Sequence, residues 1–231
     1  SAPLQNIQFL NAQTGYISSI SNTGIFFKTT NGGLNWNSVY INSNSYYTSF
    51  YFKDANTGIV CGGSIIYIPP PPFPGHNVYQ EKVFKTTNGG QSWDSTYFGT
   101  SGIFRTLCTF NNNVFVFGEG SSKKSTDFGL TWTNLGYAIN PTPRYSCLVD
   151  TSEGYVIGDY GKIVKIINSW IGANQNQSLT SLPINSIYFI NSNTGYILSS
   201  DPYRSQGAHI YKTTNSGYNW YQVYYLYNGY M

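Results

Sequence analysis

Apolar and polar residues alternate along this chain in phrases that recur. "IQFLNAQTGYI" (7–17), "FYFKDANTGIV" (50–60) and "IYFINSNTGYI" (187–197) share one pattern. Each is an alternating apolar run, a polar Asn- and Gly-bearing turn, and a second run opened by Gly and an apolar residue. A period of two predicts strands, and the turn residues predict a hairpin between them. "LCTFNNNVFVFG" (107–118) and "CLVDTSEGYVIG" (147–158) are shorter and looser copies. A third strand ending in Lys follows, at "GIFFK" (24–28), "KVFK" (82–85), "GKIVK" (161–165) and "HIYK" (209–212). After it comes an octet ending in Trp: "TTNGGLNW" (29–36), "TTNGGQSW" (86–93), "STDFGLTW" (125–132) and "TTNSGYNW" (213–220). The tryptophan opens a fourth strand, as in "WNSVYI" (36–41) and "WYQVYYLY" (220–227).

Five such units begin near Ile7, Phe50, Ile103, Tyr145 and Ile184. Successive tryptophans, at 36, 93, 132, 170 and 220, lie 57, 39, 38 and 50 residues apart. Units of about 40 residues with four strands each predict propeller blades. No stretch carries a 3.6-residue period beside the alternation, which excludes a helical or leucine-rich solenoid. The expected fold is all-β: one β-propeller domain over 1–231, with blades near 7–41, 48–98, 103–137, 145–182 and 184–227. The fourth unit keeps Trp170 but has lost its glycine turn ("KIINSWIGANQNQ", 165–177). The two long spacings place insertions at 64–81 and 199–208.

Composition narrows the function. Of the 231 residues 9% are charged, the net charge is +3, and the densest basic run is Lys123-Lys124, so a nucleic-acid footprint is lacking. With 18% aromatic residues the chain has apolar area enough for an ordered core. No apolar run reaches the roughly 18 residues that cross a bilayer. Low charge with abundant Asn, Thr and Tyr, and a start at Ser1-Ala2-Pro3, fits a secreted or envelope protein whose signal peptide has been removed. Cys61, Cys108 and Cys147 have no metal-ligand spacing and are expected as buried free thiols, a Cys108–Cys147 bridge being the alternative. No metal and no cofactor is expected.

The octet at 125–132 matches Ser-x-Asp-x-Gly-x-Thr-Trp at every fixed position and resembles the Asp-box of bacterial neuraminidase repeats. Together with "GYVIGDYGKIVK" and the "KTTNGG" phrases, it makes residues 7–226 similar to photosystem II assembly factor-like and sortilin-type propellers. In such families the box caps the third-to-fourth-strand hairpin, on the face away from any active site. The physics agrees with a structural role. Asp127, and Asn31, Asn88 and Asn215 in its place, can accept backbone N–H bonds within the turn. Gly33, Gly90, Gly129 and Gly217 supply positive φ, and Trp36, Trp93, Trp132 and Trp220 bury large rings between sheets.

Function is therefore sought at the other end, where second-to-third-strand loops gather. The insertion 64–81 is expected to hold a stiff polyproline II stretch at Pro69–Pro72 that exposes Phe73, His76 and Tyr79 to a partner, or else to cover one blade's edge. Glu119, Asp159 and Asp201 each follow a second strand, with Tyr203, Arg204 and His209 near the last. Three acids on one face could form an acid/base pair or a cation site, or serve simply as turn formers. Arg105, read as aligned with Ile7, Phe50 and Ile187, is expected to point into the core or central channel, with Glu119 as its partner. The neuraminidase resemblance would imply three arginines gripping a carboxylate. The chain has three in all (Arg105, Arg144, Arg204), none in the family's Arg-Ile-Pro context, and five blades where the enzymes have six.

The resulting expectation is a non-catalytic interaction or assembly propeller, with other proteins or its own copies as partners. Carbohydrate binding is the alternative, and sialidase-type hydrolysis a remote one. A five-bladed ring has no obvious strand exchange to lock it. It is expected to close on itself, the alternatives being a longer protein or open edges that pair with another chain.

Overall fold

The computed structural model describes residues 4–19, 26–42, 44–70, 74–135, 139, 142–168, 170–171, 177–200 and 207–226. They form five antiparallel sheets in chain order. Blade 1 comprises β1 (Leu4–Phe9), β2 (Gly15–Ser19), β3 (Phe26–Thr29) and β4 (Asn37–Val39). Blade 2 comprises β5 (Ser45–Phe52), β6 (Gly58–Ile68), β7 (His76–Thr86) and β8 (Asp94–Gly99). Blade 3 comprises β9 (Phe104–Phe110), β10 (Asn113–Gly118), β11 (Ser122–Ser125) and β12 (Thr133–Asn134). In blade 4, β13 (Pro143–Leu148), β14 (Glu153–Gly158) and β15 (Lys162–Ile167) are flanked by two short pieces, β16 (Trp170–Ile171) and β17 (Gln177–Ser178). The outer edge is split where the sequence has lost its box. Blade 5 comprises β18 (Ile184–Phe189), β19 (Gly195–Ser200), β20 (Ala208–Thr213) and β21 (Tyr221–Leu226).

Strand alternation gives each blade two apolar faces, and consecutive blades bury them against each other. Four cores result. Tyr16 and Phe26 meet Phe50 and Phe52; Ile59 and Val83 meet Phe104 and Leu107. Phe115 and Phe117 meet Val156 and Val164; Tyr155 and Ile157 meet Ile184 and Ile187. Ring closure was the expectation, yet among the described residues no core cluster joins blade 5 to blade 1. The faces that would meet there stay exposed, Ile7 being 63% exposed where its blade 5 equivalent Ile187 is 3%. The described residues form an arc of five blades.

The four boxes share one hydrogen-bond scheme. Thr29, Thr86, Ser125 and Thr213 each accept, at Oγ, the N–H groups two and four residues on, for example Asn88 N at 3.3 Å and Gly90 N at 2.9 Å. Each hydroxyl donates to Asn31, Asn88, Asp127 or Asn215 at 2.7–3.0 Å. The Oδ1 of that residue then caps the N–H of Asn35, Ser92, Thr131 or Asn219. Gly33, Gly90, Gly129 and Gly217 have φ between 70° and 89°. The residue before each is also left-handed, including Phe128 and Ser216, which no glycine announces. Trp93 packs edge-on against Phe26 of blade 1 and Phe52 of its own blade, both at 6.0 Å. Each box also donates one N–H to its blade's first turn (Gly32 N to Gln13 O, Gly89 N to Asn56 O), so boxes and first turns occupy one end.

Two expectations change. Residues 64–68 and 76–81 do not form an extended proline loop: they continue β6 and β7, paired out to Ile68 opposite His76. Their alternation outlasts the sheet, so the ladder does too. Pro69 and Pro70 lie beyond the strand end, and Phe73 falls outside the described residues. The first strands also begin earlier than read from sequence, so Arg144 lies inside β13. The cysteines are free thiols, with Cys61 and Cys108 buried.

Candidate functional site at the channel mouth

The first strands β1, β5, β9, β13 and β18 stand side by side at the centre of the arc, and every one of them carries a β-bulge. In β1, Leu4 pairs with Ser19 and Asn6 with Ser18, leaving Gln5 over. The same count leaves Thr48, Arg105, Arg144 and Asn185 unpaired in the other four. A bulge inserts one residue and re-aims its side chain. All five extra residues line one cavity of about 420 Å³ at the mouth of the central channel. Arg105 is thus not aligned with Ile7, Phe50 and Ile187, as the sequence reading had it; Leu107 takes that place.

The bulge left a trace in the sequence. Unbroken strands put same-face residues two or four apart, whereas here the buried pairs Tyr47/Phe50, Phe104/Leu107 and Ile184/Ile187 are three apart. Two polar residues separate the members of each pair, and the first of the two (Thr48, Arg105 or Asn185) is the one that lines the channel mouth.

Two acids close over this ring from the second-to-third-strand loops. Arg105 donates from Nε (2.9 Å) and Nη2 (2.6 Å) to Glu119 Oε1, the partner expected from sequence. The pair is part-exposed at the channel mouth, with no core around it. Arg144 Nε donates to Asp159 Oδ1 in the same relation one blade on. Asp159 opens a 3₁₀ turn through Tyr160 and Gly161, both at positive φ, which leaves the Tyr160 ring exposed. Asn185 Nδ2 donates to the carbonyl and hydroxyl oxygens of Ser200, both at 2.8 Å. Thr48 Oγ1 donates to the Phe104 carbonyl at 2.7 Å and so ties blade 2 to blade 3. The mouth therefore presents guanidinium, carboxylate and amide groups with no excess of either charge. Such a rim can hydrogen-bond a polar chain or side chains.

Of the residues expected here, Glu119 and Asp159 share the cavity, each with its own arginine. His76 and Tyr79 lie on the β6–β7 ribbon, which leaves the sheets at the same end. There Ile66, Tyr67, Ile68 and Tyr79 are exposed. His209 sits on β20 with Nδ1 3.0 Å from Gln222 Oε1 and its ring against Tyr225. Asp201, Tyr203 and Arg204 lie outside the described residues. Among the described residues no group of three or more His, Cys, Asp or Glu is placed to hold a metal.

Below the mouth, Cys108, Tyr145, Ser146 and Cys147 line a further cavity of about 390 Å³. Burial pushes the Cys147 thiol up to about 12 and raises Cys108 as well. These are not nucleophiles at neutral pH.

Five four-stranded blades around a central channel define a β-propeller, and solved structures bear this out. YCF48 bound to a D1 peptide superposes with a TM-score of 0.52 at 12% identity, over 96% of this chain and 81% of that one. The GH74 xyloglucanase from Xanthomonas campestris gives 0.69 at 11% identity, over 96% of this chain. The WD40 propeller domain of Doa1 gives 0.68 at 10% identity, over 99% of this chain and 71% of that one. This chain spans 38% of the length of the xyloglucanase. No protein-family model and no curated protein sequence matches the chain.

Proposed function

We propose that this propeller is a non-catalytic binding module of the Asp-box kind, secreted or displayed at the cell envelope, that engages another protein at its channel mouth. The observation that carries the reading is the ring of five bulges. Five separate strands spend an irregularity on aiming Gln5, Thr48, Arg105, Arg144 and Asn185 at one cavity. Each carboxylate in it is engaged by a guanidinium, so Glu119 and Asp159 are not a free pair of acids flanking a scissile bond. The exposed ribbon tip offers apolar area at the same end. YCF48, a propeller of the same fold, is known with a bound peptide. The shared box geometry supports the Asp-box assignment, and the low charge supports an extracellular setting.

Carbohydrate binding is the second reading, favoured by the exposed Tyr160 ring beside Asp159, a face on which a sugar could stack. One experiment separates the two. Random peptides and a glycan array are screened against the immobilised protein, and the binders are retested on Arg105→Ala and Arg144→Ala. Peptides that lose at least tenfold in affinity on either variant support the proposal. Glycans competed by free sugar and lost on Tyr160→Ala support the second reading. Turnover of a fluorogenic glycoside that disappears on Glu119→Gln overturns both.

A further inference from the structure

Two of the four joints between consecutive blades, blade 1 to 2 and blade 4 to 5, share the same two contacts. The first is aromatic: Tyr16 of blade 1 stacks on Phe52 of blade 2 (3.6 Å, 6°), and Tyr155 of blade 4 stacks on Phe189 of blade 5 (4.4 Å, 11°). The second is a charge-assisted hydrogen bond: the third-strand lysine donates to a left-handed box carbonyl of the next blade, Lys28 to Gly89 O at 3.0 Å and Lys165 to Ser216 O at 2.9 Å. The lysine also lies over the stacking tyrosine.

The two ends of the arc carry the unmatched halves of this joint. On β19 and β20 of blade 5, Tyr196 opposes Lys212 and Leu198 opposes Ile210. These positions repeat Tyr155, Lys165, Ile157 and Ile163, all nearly inaccessible in blade 4. Lys212 again lies over its tyrosine ring, at 5.6 Å. Leu198, however, is 39% exposed, and among the described residues Lys212 donates to no box carbonyl. On blade 1, Leu4, Ile7 and Phe9 repeat Ile184, Ile187 and Phe189, with Phe9 set against Trp36 as Phe189 is against Trp220. All three are exposed. The carbonyl that answers to Gly89 O and Ser216 O is that of Gly32.

We propose that a second copy of this chain docks head to tail. The blade 5 face of one copy covers the blade 1 face of the next, with Tyr196 on Phe9 and Lys212 bonded to the Gly32 carbonyl. The occupant follows from the joints themselves. The blade 1 face is built to receive a Tyr–Lys face of this repeat, and the chain displays one such face uncovered. The contact is heterologous, so each added copy leaves one face of each kind at the ends of the assembly until it closes. This surface is separate from the channel mouth, and the proposal stands or falls independently of what binds there.

Phe9→Asp and Tyr196→Asp each damage one half of the joint, on side chains that are not deeply buried in the single chain. Sedimentation velocity over a range of protein concentrations is read for the unaltered protein, each variant and their equimolar mixture. Circular dichroism confirms that the variants fold. The expected result is concentration-dependent assembly of the unaltered protein and monomers for each variant alone. The mixture yields a heterodimer and nothing larger, because it contains one intact joint. If a variant misfolds, Lys212→Glu and Leu4→Asp serve as the corresponding pair. A monomer at all concentrations overturns the proposal. So does a Phe9→Cys/Tyr196→Cys double variant that a short bismaleimide bridges within one chain, since that shows the arc closing on itself.

Discussion

The ring of Tyr155 lies parallel to that of Phe189 at 4.4 Å, and its hydroxyl donates to the Ser216 carbonyl at 2.5 Å. One side chain thus joins blade 4 to both the first strand and the box of blade 5. Its counterpart Tyr196 likewise has a third-strand lysine, Lys212, over its ring, but no following blade among the described residues. Tyr155→Ala is expected to lower unfolding free energy by about 3–5 kcal/mol, the range for truncating a buried aromatic. Tyr196→Ala is expected to lower it by less than about 1 kcal/mol in dilute solution. Urea unfolding at low protein concentration measures both, and equal losses would contradict the open arc.

Lys165 and Glu153 form an ion pair at the same joint, with the lysine side chain 3% exposed and held under Tyr155 and Tyr218. Removing one charge leaves the other buried without compensation. Glu153→Gln is expected to cost about 3 kcal/mol. The double variant Glu153→Gln/Lys165→Met should recover a large part of that loss. A thermodynamic cycle over the unaltered protein, Glu153→Gln, Lys165→Met and the double variant tests it, and additive losses would refute the coupling.

The Asp127 carboxylate is held well below its usual range by the Thr131 hydroxyl, the Thr131 N–H and the Ser125 hydroxyl. Asp54 and Asp150 are lowered as well, chiefly by the backbone N–H groups of Asn56 and Ser152. A carboxylate lowered in the folded state binds fewer protons there than in the unfolded chain. The stability it adds is complete above the ordinary aspartate range near pH 3.9 and is lost as the pH falls through the folded value. Midpoints of urea unfolding should therefore drop steadily from about pH 5 to about pH 2. Asp127→Asn keeps the Oδ1 acceptor used by the three sister boxes, so it should fold normally and flatten part of that slope. Asp127→Ala should lower the midpoint at every pH.

Burial raises Cys61 and Cys147 to about 12 and Cys108 further still. At pH 8 the folded protein is expected to leave all three thiols unreacted toward an aromatic disulfide over minutes, and to release three equivalents at once in denaturant. Fast reaction of the native protein would show the channel below the mouth to be open.

The mouth pairs should behave differently from the joints. Arg105 and Glu119 are both more than a third exposed, so their pairing contributes about 0–1 kcal/mol. Arg105→Ala should leave the melting temperature within a few degrees while changing what binds. A large thermal loss would mean that the pair serves packing instead.

What the sequence determined by itself is the unit and its local chemistry. Alternation specifies strands, Asn and Gly specify turns, and the Thr/Ser hydroxyl with Asn or Asp two residues on specifies the box, because each of these bonds closes within about five residues. The Arg105–Glu119 pair was legible for a similar reason: the two lie near facing ends of neighbouring strands. The tertiary structure decided what depends on register and on neighbouring blades. Gln5, Thr48, Arg105, Arg144 and Asn185 share no residue type, and they become a set only when each first strand is paired and its extra residue counted. The long ribbon of β6 and β7 was hidden because proline at its tip draws attention away from the alternation on either side. The exposure of Ile7 and Leu198 could not be read at all. Their sequence phrases match those of buried residues, and whether such a face is covered is settled by how far the blades curve round the axis, a property of every joint in the arc together.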